Sequence, residues 1–532
     1  MITVEEKLLR DRLAVDEITF AIPAQSFAIS CAISAEEALP VVTEFALRIA
    51  YVCGSLSPTQ IQEFFGFSSK ETDAVIQALL SERLVQWNDE QLELTSYALA
   101  RFQDSSDNLP RFFKIQDWSA EVVFDLISFS PAGRTSRLKR VRSQVELATR
   151  NFDKQSRTVQ FAEQSFQHNF RQICTKEKAE IYKISSVDPG ERFSIPLPCV
   201  FHLDLSGSPT VARNIDDESF GSRLEIAEAI SDALADQERG NNESLREFIQ
   251  MFDDGLLGRY VGDDTFDLRR YAQDVHLTEA AGYGDDRVTP MLGALHLQRN
   301  ADMLLARLQA ELTRDDGPPH EHPDADSVTA EAGAEAIAPV TVPAPAAHLD
   351  ALWWAPQSAL WARTRSARDL AQKIDALLQP QQAGAEGVRD GAVRVVVPGD
   401  RRASRERLSV YWDQFPRLFG ADISILNGNL ELLLIPERLV CVMYHFHLAH
   451  QAIAVPIGFL SSRPDHLRAA GSLVSGRVRI KPGAFVAARD EGGAQAAHDL
   501  VAQIDRLSES STAAAPTKDG RPRVTLKRPP AG

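Results

Sequence analysis

The chain has 532 residues, 44% hydrophobic and 25% charged, which excludes wholesale disorder and asks for several domains, not one core. A formal net charge of −17 excludes coating of nucleic acid by bulk charge, while a local basic patch stays open. Five cysteines with no CxxC pair exclude a disulfide scaffold and point to a reducing, cytoplasmic setting, each thiol reading as a small buried hydrophobe. The first residues, MITVEEKLLRDRLAVDEITF, lack the basic start and apolar run of a secretory signal. Nowhere do about 18 apolar residues run without a charge, so no membrane contact is expected.

Residues 1–39 form an N-terminal extension whose start is acidic and mixed in character. From 40 to 105 the pattern sharpens. VVTEFALRIAYVCG predicts an amphipathic helix with Val42, Phe45, Ile49 and Val52 at helical spacing. In SLSPTQIQEFFGF, Ser57 caps a helix that begins at Pro58 and stops at Gly66. Ser68 or Ser69 caps KETDAVIQALLSERL, with Val75, Leu79 and Leu80 inward, and LVQW-NDEQ-LELT predicts two short strands around a polar turn.

Three helices followed by a β-hairpin resemble a winged helix-turn-helix domain. The resemblance implies a third helix that enters a DNA major groove, with Lys70, Gln77 and Arg83 as candidate DNA contacts. Against that, Glu71, Asp73 and Glu82 share the helix, and Asp89, Glu90 and Glu93 lie on the hairpin. Phosphate neutralisation needs the opposite sign, which favours a module that packs on protein.

Residues 106–185 read as a long helical arm. From Arg134 to Lys183 there is no Pro or Gly, and Leu138, Val145, Phe152, Val159, Phe166 and Ile173 recur every seven residues. That heptad seam predicts a coiled-coil-like helix, roughly 60 Å long for some forty residues. Leu138, Val145, Phe152, Val159 and Phe166 are candidate partner contacts. Its first half is basic, and Arg134, Arg137, Lys139, Arg140 and Arg142 are candidate DNA contacts. Residues 186–314 read as a mixed region, in which AEIYKISS, ERFSIPLP and CVFHLDLS alternate like strands with turns at Asp188-Pro189-Gly190 and Gly207-Ser208-Pro209. SRLEIAEAISDALADQ, ESLREFIQMFDDGLLGRYV and TPMLGALHLQRNADMLLARLQAEL then predict helices.

Residues 315–349 carry six prolines, seven acids and no Lys or Arg, which predicts a disordered acidic linker; 508–532 reads as a disordered basic tail. Between them, 350–507 reads as an α/β domain, with strands in VRVVVPG, ADISIL, LELLLIPERLVCVMYHFHL and IAVPIGFLSS and a helix over ASRERLSVYWDQFPRLFG. Trp354 and Trp361, seven apart, share a face if helical, and are core residues or an anchor for a partner groove. The expected fold class is therefore multidomain α+β: winged helix, long seamed helix, small sheet with helices, acidic linker and C-terminal α/β domain.

Chemistry is thinly written. His445, His447 and His450 in YHFHLAH are weak metal candidates, because residues two apart on a strand share a face. No P-loop, GxGxxG or GxSxG motif is present, and no cofactor is expected. The strand order and PIGFLSS make residues 390–470 resemble half of a phospholipase D-type nuclease domain, with His445-Phe446-His447 standing where its HxK motif is expected. In that family the His of an HxK motif is the nucleophile on phosphorus. The Lys is absent here, so the resemblance implies a degenerate, non-catalytic copy.

The leading expectation is a non-catalytic winged-helix subunit or adaptor of a bacterial multiprotein assembly, with other protein subunits as partners and DNA or a second copy of the chain as further candidates. Winged helices joined to nuclease-like folds resemble the make-up of phage-defence systems. The alternatives are a DNA-binding transcriptional regulator with a C-terminal sensor domain, and a phospholipase D-like or metal-dependent nuclease.

Overall fold

A computed structural model describes residues 13–37, 39–103, 110–133, 142–176, 178–205, 208–215, 220, 223–237, 240–252, 256–262, 265–281, 286–314, 350–379, 393–399, 407–477, 485–487, 499–504 and 506. The linker at 315–349, the tail at 508–532 and the bases Arg134, Arg137, Lys139 and Arg140 with Leu138 lie outside the described residues. The chain is multidomain and mixes helices with several sheets. It divides into two units, one of residues 23–137 and 149–193, the other of 1–22, 138–148 and 194–532.

The first unit contains a helical module. Helices α1 (Val41–Cys53), α2 (Pro58–Phe65) and α3 (Ser69–Ser81) precede the hairpin β3 (Val85–Asn88) and β4 (Gln91–Leu94), and α4 (Ser96–Gln103) closes the module. Strand β2 (Ser55–Leu56) pairs with β4, giving the order β2-β4-β3. Local chemistry sets the helix starts. Ser57 with Gln60 and Ser68 with Glu71 form capping boxes, and Pro58 opens α2. At the other end of α3, the Leu84 and Arg83 amides bond back to the Leu79 and Leu80 carbonyls, with Arg83 at positive φ. Ile61, Ile76, Leu79, Leu84, Leu92 and Phe102 fill the core between the elements.

The expected seam of α1 is split: Ile49 packs against the module's core, while Phe45 and Val52 stand outside. Ala46, Leu47 and Ala50 are the buried residues, whereas Val41 (69%), Phe45 (41%) and Val52 (77%) are exposed. Leu47, Ile49 and Tyr51 pack inward beside the small alanines, and the side chains on the opposite face are left outside. Cys53 is exposed too, against the expectation of five buried thiols.

The rest of this unit is a sheet backed by a helix. In the N-terminal extension, residues 13–37 form one strand, β1 (Leu13–Glu37), whose residues 24–37 pair antiparallel with β5 (Phe112–Asp125). The expected long arm is absent from the described residues. Its stretch holds β6 (Val145–Glu146) and two separate helices, α5 (Phe152–Ser156) and α6 (Thr158–Ile173). Asn151 caps the amides of Asp153 and Lys154, which starts α5 afresh, and Arg157 at φ −118° separates it from α6. One apolar residue in seven is too narrow a stripe to hold a free helix, so tertiary pairing prevails. The seam disperses accordingly: Val145 is buried in β6, Phe166 is buried beneath Trp118, and Phe152 (82% exposed) and Val159 stand outside. Expected turns at Asp188-Pro189-Gly190 are likewise overridden, because Glu180–Asp204 is a single strand, β7. A Cβ at Gly190 would overlap the Ser26 side chain, so this glycine serves close packing on β1.

The second unit is built on an eight-stranded sheet, β16-β12-β11-β10-β13-β14-β15-β9. Strands β10 (Ala351–Trp354), β11 (Val393–Pro398) and β12 (Leu418–Ala421) run parallel, and β13 (Leu430–Ile435), β14 (Leu439–Phe446) and β15 (Val455–Ser461) follow as an antiparallel meander. The edges are β9 (Val288–Leu292) and β16 (Phe485–Ala487). TPML, expected to begin a helix, is thus strand β9, and Pro290 is tolerated there because the strand is an edge. Only 407–411 of the expected 403–420 helix is helical among the described residues, and its end is β12. The expected boundary between 186–314 and 350–507 does not separate the units, since β9 completes the sheet of the later strands.

Helices cover both faces of this sheet, which is why β13, β14 and β15 are buried along their whole lengths. One face packs on α10 (Gln298–Thr313) and α11 (Arg365–Leu378) through Trp353, Leu433, Cys441 and Met443. On the other, Phe248 and Phe252 of α8 (Leu245–Phe252) and His466 of α12 (Pro464–Arg477) meet Tyr444 and Phe459. The unit further holds β8 (Thr210–Asn214), α7 (Leu224–Ala235) and α9 (Leu268–Ala281). A Cβ at Gly458 would overlap the Val442 carbonyl, and the Tyr271 hydroxyl lies 2.7 Å from the Gly458 carbonyl. No described helix is long and apolar enough to cross a membrane.

Candidate functional site

A carboxylate sits in the middle of the eight-stranded sheet. Glu431 alternates with leucines along β13, so the strand's period directs its side chain to the same face as Leu433, with Trp353 opposite on β10. Its Oε1 accepts the indole N–H groups of Trp353 (3.0 Å) and Trp361 (2.9 Å), and its Oε2 lies 2.8 Å from His445 Nε2. Burial alone would raise its pKa, but His445 and then the two indoles hold it below the ordinary carboxylate range. The Tyr411 hydroxyl donates to the Trp361 carbonyl at 2.6 Å, which fixes that tryptophan.

A second buried pair lies nearby in charge terms. His296 Nε2 is 3.2 Å from Asp16 Oδ1. Burial opposes its protonation, but Asp16, with Glu431 and Glu17 further off, keeps the imidazole above its usual range. Glu17 in turn accepts from the hydroxyls of Thr364 (2.6 Å) and Ser366 (3.0 Å), at the start of α11.

His447 belongs to another network. Its Nε2 is 3.0 Å from Asn429 Oδ1, and its backbone exchanges bonds with the Asn242 side chain at 2.9 and 2.7 Å. Asn429 also donates to the Asn241 carbonyl and to Tyr444. Burial, then the neighbouring His445, pulls the His447 pKa down to about 4. His450 is exposed at positive φ. The three histidines therefore diverge: one on Glu431, one on Asn429, one in water. Among the described residues no three metal-ligating side chains come together.

Trp354 and Trp361 do not share a helical face. Trp354 is on β10 and Trp361 in the following turn, both buried, so neither offers an anchor to a partner. Arg142 lies over the Trp412 ring at 5.4 Å, and its carbonyl accepts from Arg363. Lys70, Gln77 and Arg83 are exposed on or just after α3, as are Glu71, Asp73 and Glu82.

The sequence reading missed Glu431, Trp353, His296, Asp16 and Asn429. Glu431 did carry a signal: a lone carboxylate within LELLLI needs a buried partner, and tryptophan N–H groups and histidine supply one. The two tryptophans lie 78 and 70 residues away, so their identity was not written locally, whereas His445 is 14 residues on, on the next strand. Comparison of the chain with protein-family models, curated proteins and solved structures finds no match.

Proposed function

We propose that this chain is a non-catalytic adaptor subunit of a multiprotein assembly, in which residues 40–103 form a winged-helix module that docks on a partner protein. The observation that carries this reading is the outer face of α1, where Val41, Phe45 and Val52 recur on one side of the helix and stand 69%, 41% and 77% exposed. Phe64, Trp87 and Tyr97 add further exposed apolar side chains to the same module. Monomeric proteins scatter such residues singly, whereas a helical stripe of them suits an apolar groove on another protein. Residues 390–470 are, in this reading, a phospholipase D-like half-domain kept for its architecture. His445, its candidate nucleophile, is bound to a buried carboxylate that also holds two indoles.

A photo-crosslinking residue at Phe45, in cells that make the protein, tests this. A single heterologous adduct that Val41→Ser with Val52→Ser removes is expected. No adduct, or only a dimer of the chain, overturns the reading. Sequence-specific duplex binding that Lys70→Glu with Arg83→Glu abolishes replaces it with a transcriptional regulator.

A further inference from the structure

We propose that the first unit also carries a binding surface for single-stranded nucleic acid, where α6 ends and β7 begins. It is distinct from the helical module and stands whether or not that module docks on protein. Two cavities of about 690 and 470 Å³ adjoin there and share Phe170, Arg171, Ala179 and Glu180 as a common wall. Each is within the roughly 300–1,000 Å³ of small-ligand pockets.

Charge names the ligand class. Lys176 and Lys178 line the larger cavity, Lys183 the smaller, and Arg171 both, against one carboxylate among the described lining residues, Glu180. Lys178 is committed to Glu36 at 2.6 Å. Lys176 donates to a neutral amide, Gln116, at 2.8 Å, and Arg171 and Lys183 have no carboxylate partner among the described residues. In a chain of net charge −17, three uncommitted cations around two joined cavities select for a polyanion.

Flat exposed rings narrow the class further. Phe113 lines the larger cavity at 45% exposure and Tyr182 the smaller at 66%. Each cavity therefore offers one ring to a base, and Arg171, on the shared wall, is placed for the phosphate that joins two nucleosides. Stacking on aromatic rings with cations along the backbone is how unpaired strands are held without sequence preference. A duplex keeps its base faces inside the stack and cannot use the rings, and an acidic peptide has no flat faces to give them.

Fluorescence anisotropy with a labelled oligothymidylate of about 12 nucleotides, within the span of known single-strand sites, tests the full chain. Saturable, salt-sensitive binding is expected. Arg171→Glu with Lys183→Glu should weaken it at least about tenfold and reduce the log–log salt slope by about 1.4, or about 0.7 per phosphate contact. Tyr182→Ala should weaken it about 5- to 100-fold with the slope unchanged. If the charge reversal fails to fold by circular dichroism, Arg171→Gln and Tyr182→Ala, both at the surface, carry the test. Lys70→Glu with Arg83→Glu should leave binding unchanged. The proposal is overturned by absence of saturable binding, by equal affinity for a duplex, by full competition from polyglutamate, or by loss of binding only in the Lys70, Arg83 variant.

Discussion

In the second unit a carboxylate is buried and both its oxygens are answered, by two indoles and an imidazole. In the helical module of the first unit, valine, phenylalanine and tryptophan side chains stand in water. The difference lies in what covers each element. Helices on both faces of the eight-stranded sheet leave a polar group there no solvent, so it must find protein partners or not be present. The module has one small core, and the face of α1 that carries Val41, Phe45 and Val52 stays exposed. A closed polar network and an open apolar face are opposite solutions, and only the open face leaves anything for another molecule to touch.

The sharpest way to break this contrast is to remove Glu431. Glu431→Ala strands His445 and two indole N–H groups in the core, and should cost about 3–5 kcal/mol of unfolding free energy, read by denaturant titration. Glu431→Met with His445→Leu removes both ionisable partners, and should recover part of that loss, because apolar replacement of a buried pair is often neutral. A single substitution costing less than about 1 kcal/mol would mean that water reaches the network, and the sheet would then be an open site.

His447 sharpens the contrast through pH. Its folded-state pKa of about 4 lies below the ordinary 6.5, so the folded protein favours the neutral ring and the unfolded chain binds the extra proton. This contribution is fully present above pH 6.5 and is lost as pH falls through 6.5 towards about 4. Solvent at the half-buried ring screens it, which leaves roughly 1–2 kcal/mol. His447→Gln keeps a polar group toward Asn429, and its stability profile should lack that acid slope when the two proteins are titrated side by side.

What the sequence disclosed follows the range of the forces concerned. Capping at Ser57 and Ser68, the Pro58 start and the β3–β4 turn depend on residues within four positions of each other, and were legible. So was the β13–β14–β15 meander, whose strands follow one another directly. The heptad seam from Leu138 to Ile173 misled, because a period says which residues could share a face and not whether a partner helix exists. Thr289-Pro290-Met291 could be placed as a strand only by knowing that β15, more than 160 residues later, needed an edge. Glu431 stood out as a carboxylate in need of a partner, but the Trp353 indole that bonds it lies 78 residues away and leaves no local trace.

The smallest effect bears on the module itself. Val41, Phe45 and Val52 are expected to tolerate serine at a cost within about 0.5 kcal/mol each, since an exposed side chain gives up little on folding. Leu47→Ser on the same helix is expected to cost several times more, because Leu47 is fully buried and its replacement leaves both a cavity and a hydroxyl in the core. Phe45 and Leu47 are two positions apart on the same helix, so the difference between their losses chiefly reports burial. Thermal unfolding of the four single variants measures it. Equal losses at Phe45 and Leu47 would show that the outer face of α1 is covered within the chain itself, and the exposed stripe on which the docking surface rests would not exist.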